Sequence, residues 1–152
     1  MDITHFLRLQ PGFENFSSTD LDVFSRMLNV AIYPARHRFT VRGEPGHALY
    51  VILDGAVTMT SGDELTGDSA DRSLRVGEWF GLLSLVENLP AFENCSTSES
   101  VTVASFNRVQ FDELFELAPP IGRHFLYMLA KQLARTLIAQ NERLSAKARL
   151  SK

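Results

Sequence analysis

Cysteine is almost missing from this chain. Cys95 stands alone, so no internal disulfide can form, a disulfide-stapled secreted scaffold is excluded, and a packing role is the plain reading of that thiol. No window approaches the roughly 20 consecutive apolar residues that a membrane span requires. The opening segment, Met1 to Gln10, has no cationic stretch followed by an apolar one, so nothing marks it for export and a cytoplasmic location is expected. The four histidines, His5, His37, His47 and His124, are scattered, and no two fall at a spacing that would aim a pair of nitrogens at one metal. Neither a metal site nor a cofactor is expected.

What is present fits one domain, residues 1–152, because a chain of this length buries enough surface for a single core. Charge is unevenly placed. Residues 1–122 hold 17 acids against 8 Lys and Arg, a net −9, whereas residues 123–152 hold one acid, Glu142, against seven bases, a net +6. The C-terminal segment is the basic part, which by itself reads as a solvated helix face rather than a nucleic-acid surface.

Local signals order the chain. Ser17, Ser18, Thr19 and Asp20 offer acceptors for a helix start, and Leu21, Phe24 and Leu28 recur at helical spacing, which predicts a helix over about 19–29, broken by Tyr33-Pro34. Residues 1–30 are thus read as an N-terminal helical segment. From residue 38 the pattern becomes that of strands. Ala48 to Leu53, the turn dipeptide Asp54-Gly55 and Ala56 to Thr60 read as a β-hairpin. Gly43 to Gly46 reads as another turn, and the polar stretch Ser61 to Asp71 as a surface loop. Gly81 to Pro90 reads as a short helix, and Ser96 to Phe106 as a further strand or two, with Val101, Val103 and Ser105 on one face. These strands place a β-barrel at about 31–107 and helices at 108–152. The helices run from Val109 to Leu117 and from Pro119 to about Ala148, with the prolines tolerated in the first turn. The predicted class is α+β, mainly β. Leu126, Ala130, Leu133, Leu137, Gln140 and Leu144 follow a 4-3 spacing, either a seam shared with a second subunit or a cover for the chain's own barrel.

Particular residues in this order carry a resemblance. Leu9-Gln10-Pro11-Gly12-Phe13, then Ser18-Thr19-Asp20-Leu21, Tyr33-Pro34, and above all Arg42-Gly43-Glu44-Pro45-Gly46-His47-Ala48-Leu49-Tyr50-Val51-Ile52-Leu53-Asp54-Gly55 resemble the cyclic-nucleotide-binding domain family of catabolite activator proteins and protein kinase A regulatory subunits. The resemblance implies a jelly-roll barrel (double-stranded β-helix) with a short N-terminal helix, a short phosphate-binding cassette helix and a long C-terminal helix. It also implies a cassette of the form Phe-Gly-Glu, then Ala-Leu, then Arg followed by Ser or Thr and Ala. In such a cassette the Glu accepts from the ribose hydroxyl and the Arg pairs with the phosphate. Here Phe80, Gly81 and Leu85 match, the Glu position holds Leu82, and the Arg position falls on Ala91 or Phe92. The candidate ligand pocket is therefore Phe80, Gly81, Leu82, Leu83, Ser84, Leu85, Ala91 and Phe92.

Those departures remove two charge-assisted hydrogen bonds worth about 1.5–3 kcal/mol each. From Val76 to Asn107 there is no Lys or Arg, while Glu78, Glu87, Glu93 and Glu99 are acidic, so the cavity beside Gly81 is expected to lack a cation. Glu78 as a substitute acid, and Arg72, Arg75, Arg123 or Arg135 as a remote cation, stay as weaker alternatives to plain surface charges. Trp79 reads as core or barrel rim ahead of a ligand cap. The expectation is a stand-alone regulatory sensor that does not bind cyclic AMP or cyclic GMP in the ordinary way and has no catalytic residues. The alternatives are a ligand-free dimerisation or interaction scaffold and a cyclic-nucleotide binder that uses an arginine from elsewhere. The expected partners are a small-molecule ligand, a second copy through the C-terminal helix, and another protein. No DNA-binding domain or membrane is expected. A cupin-like enzyme is disfavoured because no His-x-His with a spaced Glu is present.

Overall fold

The computed structural model describes residues 2–60, 72–82 and 89–150, apart from the side chains of Thr136 and Gln140. Two four-stranded antiparallel sheets lie face to face, one in the order β1-β8-β3-β6 and the other β2-β7-β4-β5. Their strands are β1 (Asn29–Tyr33), β2 (Arg38–Thr40), β3 (Ala48–Asp54), β4 (Val57–Thr60), β5 (Arg72–Leu74), β6 (Trp79–Phe80), β7 (Asn94–Ser96) and β8 (Val101–Asn107). This is the expected α+β, mainly β, jelly-roll arrangement, with the barrel left open rather than closed.

The expected hairpin over 48–60 does not form. β3 pairs with β6 and β8, and β4 pairs with β5 and β7, so the Asp54-Gly55 corner carries the chain from one sheet to the other. Gly55 has φ +92° and lies against the Ser100 carbonyl and Val101, a crowded left-handed position suited to glycine. A turn dipeptide between two strand-like runs cannot distinguish a hairpin from a corner between sheets.

β3 and β8 are buried on both faces. Ile52, Val101 and Val103 enter the core between the sheets with Val57, Leu74 and Phe80. Leu49, Val51, Leu53, Ala104 and Phe106 face the opposite way, into a larger cluster with the helices. Phe24 lies 4.7 Å from Phe125 and 5.8 Å from Phe106, centroid to centroid, so one ring ties the N-terminal helix, the C-terminal helix and the sheet together.

The first helix, α1 (Ile3–Arg8), is capped by the Asp2 side chain. α2 (Ser18–Arg26) is capped by Ser17, whose side chain accepts from the Asp20 amide. α2 ends three residues earlier than expected and β1 follows at once, so Tyr33-Pro34 closes a strand instead of breaking a helix. Leu28 prolongs the helical spacing into β1 because it is buried from a non-helical position. α3 (Arg108–Leu117) opens with a capping box between Asn107 and Gln110. α4 (Pro119–Leu150) is 32 residues long, about 48 Å at 1.5 Å per residue. Only its first third is fixed on the core, through Ile121, Phe125, Met128 and Leu129. Among the described residues no helix is long and apolar enough to cross a membrane.

Candidate functional site

A cavity of about 380 Å³ opens between the second sheet, the end of β6 and α4. Its position follows from local structure. β6 is held to β3 through Tyr50 opposite Phe80 and Val51 opposite Trp79, and the Gly77 amide donates to the Ile52 carbonyl at 2.8 Å. At Gly81, φ +92°, the chain leaves β6 where a Cβ would run into the Ala48 carbonyl oxygen, so glycine lets the strand end press against β3. On the far wall, the Gly43 amide donates to the Ala91 carbonyl at 2.8 Å and the Ala91 amide to the Glu44 carbonyl at 2.9 Å. The Gly43 to Gly46 turn thereby anchors the segment that carries Phe92 and Glu93.

The structure brings Phe80, Gly81, Leu82, Ala91 and Phe92 together around this cavity. Leu83, Ser84 and Leu85, with most of the expected cassette helix and all of the 61–71 loop, lie outside the described residues. Met59 and Leu74 enter from the second sheet, and Leu129 and Leu133 from α4. Trp79 packs into the core, as its first reading has it, stacking on Phe13 at 6.4 Å and meeting Phe125 edge-on at 5.3 Å, and it also lines the cavity.

The expectation of a cavity without cations is corrected. Arg72 on β5 and Arg135 on α4 both line it, whereas Arg75 and Arg123 are not among its lining residues. Folding brings Arg72 alongside through the pairing of β5 with β4, which a scan of residues 76–107 cannot reveal. Nor is Glu78 merely a solvated strand end. Its Oε2 accepts from Arg72 Nη2 at 3.2 Å, with both side chains more than a third exposed. Glu93, which sequence reasoning left as one acid among several, also lines the cavity. Burial pushes its carboxyl above the ordinary carboxylate range, and the Arg72 guanidinium only partly offsets this. Cys95, 3% exposed, has its thiol pushed up to about 11, chiefly by burial, with a side-chain hydrogen bond with Thr40 acting against the shift. It is a packed thiol and a poor nucleophile.

The apolar seam on α4 divides. Leu126 is half-buried against the core and Ala130 is exposed. Leu133, Leu137 and Leu144 are 40%, 51% and 63% exposed. The stripe therefore does not cover the chain's own barrel beyond its first turns. Gln140, whose side chain lies outside the described set, adds nothing to this comparison.

Two facing antiparallel sheets, with a cavity of small-molecule size at one end walled by a long helix, define a jelly-roll domain of the ligand-pocket kind. The cyclic nucleotide-binding domain model matches residues 31–117, and the chain belongs to that family. It is 25% identical over 127 residues to the CRP-like cAMP-activated global transcriptional regulator of Mycobacterium tuberculosis, covering 82% of this chain and 55% of the regulator. It is 25% identical over 129 residues to the cAMP-dependent protein kinase regulatory subunit of Neurospora crassa, covering 84% of this chain and 32% of the subunit. The chain thus spans about half the length of the mycobacterial relative and a third of the fungal one. Among solved structures, a cyclic nucleotide-binding domain from Methylobacillus flagellatus superposes with a TM-score of 0.82 at 20% identity, over 95% of this chain and 82% of that one. The catabolite activator protein of Thermus thermophilus gives 0.70 at 20% identity, over 87% of this chain and 62% of that one. The regulatory, sensor-type fold is that of this family.

Proposed function

We propose that this chain is a regulatory sensor domain, not an enzyme, whose cavity does not hold cyclic AMP or cyclic GMP in the family's usual manner. One observation carries the reading: Leu82 stands in the cavity wall where the family pattern has Glu, neither Ala91 nor Phe92, on one of which the Arg position falls, carries a charge, and the sheet's arginine, Arg72, is already bridged to Glu78. Loss of two charge-assisted hydrogen bonds weakens binding by roughly a hundredfold to ten-thousandfold. Titration calorimetry of the chain with cyclic AMP and cyclic GMP tests this. The expected result is no binding in the micromolar range, and tight binding of either nucleotide overturns it.

A second reading, a cyclic-nucleotide binder with a borrowed arginine, is favoured by the placement of Arg72 and Arg135 on the cavity. It predicts binding that Arg72→Ala or Arg135→Ala abolishes in the same titration.

Occupation of the cavity would be read out by α4, because Leu129, Gln132, Leu133 and Arg135 form part of its wall. A ligand shifts that helix only by the difference in its affinity for two helix positions. The rest of α4 is proposed to pair with a second copy through Leu133, Leu137 and Leu144, and to pass the signal on through that dimer or another protein. Light scattering is expected to give a dimer, and a monomer for Leu137→Asp. A monomeric parent chain at high concentration removes this part of the reading.

A further inference from the structure

The charges on the cavity wall balance. Arg72 and Arg135 line it together with Glu78 and Glu93, so their sum draws in neither an anion nor a cation. Arg72 and Glu78 satisfy each other at 3.2 Å, and Arg135 is exposed on α4, where water screens its charge. The Thr40 hydroxyl is engaged by the Glu93 backbone carbonyl, to which it donates at 2.9 Å. Among the described residues no buried side-chain nitrogen or oxygen is without a hydrogen-bonding partner. A charged ligand entering such a wall gives up its own hydration for groups that are already paired or in contact with water, and nothing in the wall offsets that loss. What the wall still gains from a ligand is cover for its apolar surface. Met59, Trp79 and Leu82 are half-buried there, and Leu133 and Phe92 are exposed. The rings of Trp79 and Phe92 offer flat faces that suit a planar body. A space of about 380 Å³ stands at the small end of the range for small-molecule pockets, roughly 300–1,000 Å³.

We propose that the cavity takes a small, uncharged, planar apolar molecule, held against Trp79, Leu82 and Phe92 and bounded by Leu133 on α4. This rests on the reading that the cavity is a ligand site that turns ordinary cyclic nucleotides away. It names the chemical class that site recognises.

Trp79, the only tryptophan, lines the cavity and passes its excitation energy to a naphthylamine bound beside it. The full chain is titrated at neutral pH with the uncharged N-phenyl-1-naphthylamine and with 8-anilinonaphthalene-1-sulfonate, the same ring system carrying a sulfonate. The cation N-(1-naphthyl)ethylenediamine and cyclic AMP complete the set. The uncharged probe is expected to quench Trp79 saturably and to bind at least about tenfold more tightly than either charged naphthyl probe. Phe92→Ser is expected to weaken it roughly threefold to tenfold. Ile32→Ser, at an exposed apolar side chain on β1 that does not line the cavity, is expected to leave it unchanged. A charged naphthyl probe that binds as tightly as the uncharged one, quenching that does not saturate, or an equal loss in Ile32→Ser and Phe92→Ser overturns the proposal. Tight binding of cyclic AMP overturns the reading beneath it, whatever the naphthylamine does. The probes are compared on the unmodified chain, so that result stands even if a variant does not fold.

Discussion

If the cavity turns cyclic AMP away because of the side chains at positions 82, 92 and 93, then Leu82→Glu, Phe92→Arg and Glu93→Ser together should admit it. The triple change restores the family's Glu, its Arg and the small hydroxyl residue that follows in the register that sets the Arg at 92; the other register sets it at Ala91. The structure indicates that the exchange is tolerable. Phe92 is 59% exposed, so little packing is lost there. Leu82 is half-buried at the edge of the main core, so its loss costs about 1 kcal/mol. Replacing Glu93 removes a carboxylate that would otherwise capture the new guanidinium, and Arg72 keeps its bridge to Glu78. Two charge-assisted hydrogen bonds supply about 3–6 kcal/mol, a gain of roughly a hundredfold to ten-thousandfold in affinity. Calorimetry at fixed ionic strength measures it, alongside circular dichroism to establish that the variant is folded. Leu82→Glu with Phe92→Arg alone should gain less, because Glu93 competes with the phosphate for the arginine. The reasoning is refuted if the parent chain binds cyclic AMP as tightly as the triple variant, or if the folded variant gains nothing.

Gly81→Ala should destabilise the chain by about 2 kcal/mol or more, because it combines a left-handed backbone with a collision against the Ala48 carbonyl. Gly43→Ala, at φ +85° but with open space around it, should cost only about 1–2 kcal/mol. Urea unfolding of both variants separates the collision from the conformational penalty, and equal losses would show that the close approach contributes nothing. The Cys95 thiol, raised from 9.0 to about 11, binds its proton more tightly folded than unfolded. Its contribution to stability is therefore complete below pH 9 and is lost as the pH rises through 11. The loss is about 3 kcal/mol. Cys95→Ala should flatten that part of the stability profile, and the difference between the two profiles excludes the alkaline titration of Tyr50.

Much of the architecture could be read from residue order because each signal was local. The acceptors at Ser17 to Asp20, the prolines opening α4 and the alternation of Val101 and Val103 each depend on neighbours within one element. The hairpin failed because sheet membership is decided by partners far along the chain: β3 finds β8 about 50 residues away, and β4 finds β7 nearly 40 away. β1 was missed for a related reason. Leu28 extends a helical spacing by one turn, and only the pairing of Asn29–Tyr33 with β8 overrules it. The chemistry of the cavity divides in the same way. Leu82, Ala91 and Phe92 could be identified from the cassette pattern, whereas Arg72 and Arg135, two of four remote candidates in the sequence, are singled out only by the placement of β5 and α4.

That division has a mechanistic consequence. Leu82, Ala91 and Phe92 contribute apolar surface to the cavity, the second sheet contributes an Arg72 bridged to Glu78, and α4 contributes Leu129, Gln132, Leu133 and Arg135. Met128 fills the space over Gly12, where a Cβ would collide with it, and His124 meets Phe16 at 5.8 Å. The N-terminal segment thus grips α4 one turn before the cavity. A ligand that displaces Leu129 or Leu133 must move α4 against that grip or bend it beyond Met128. Past Ala130 the described side chains of the helix are exposed or half-buried, so bending there is expected to be the less costly response. On the proposed reading, the exposed Leu133, Leu137 and Leu144 would then report on what the cavity holds.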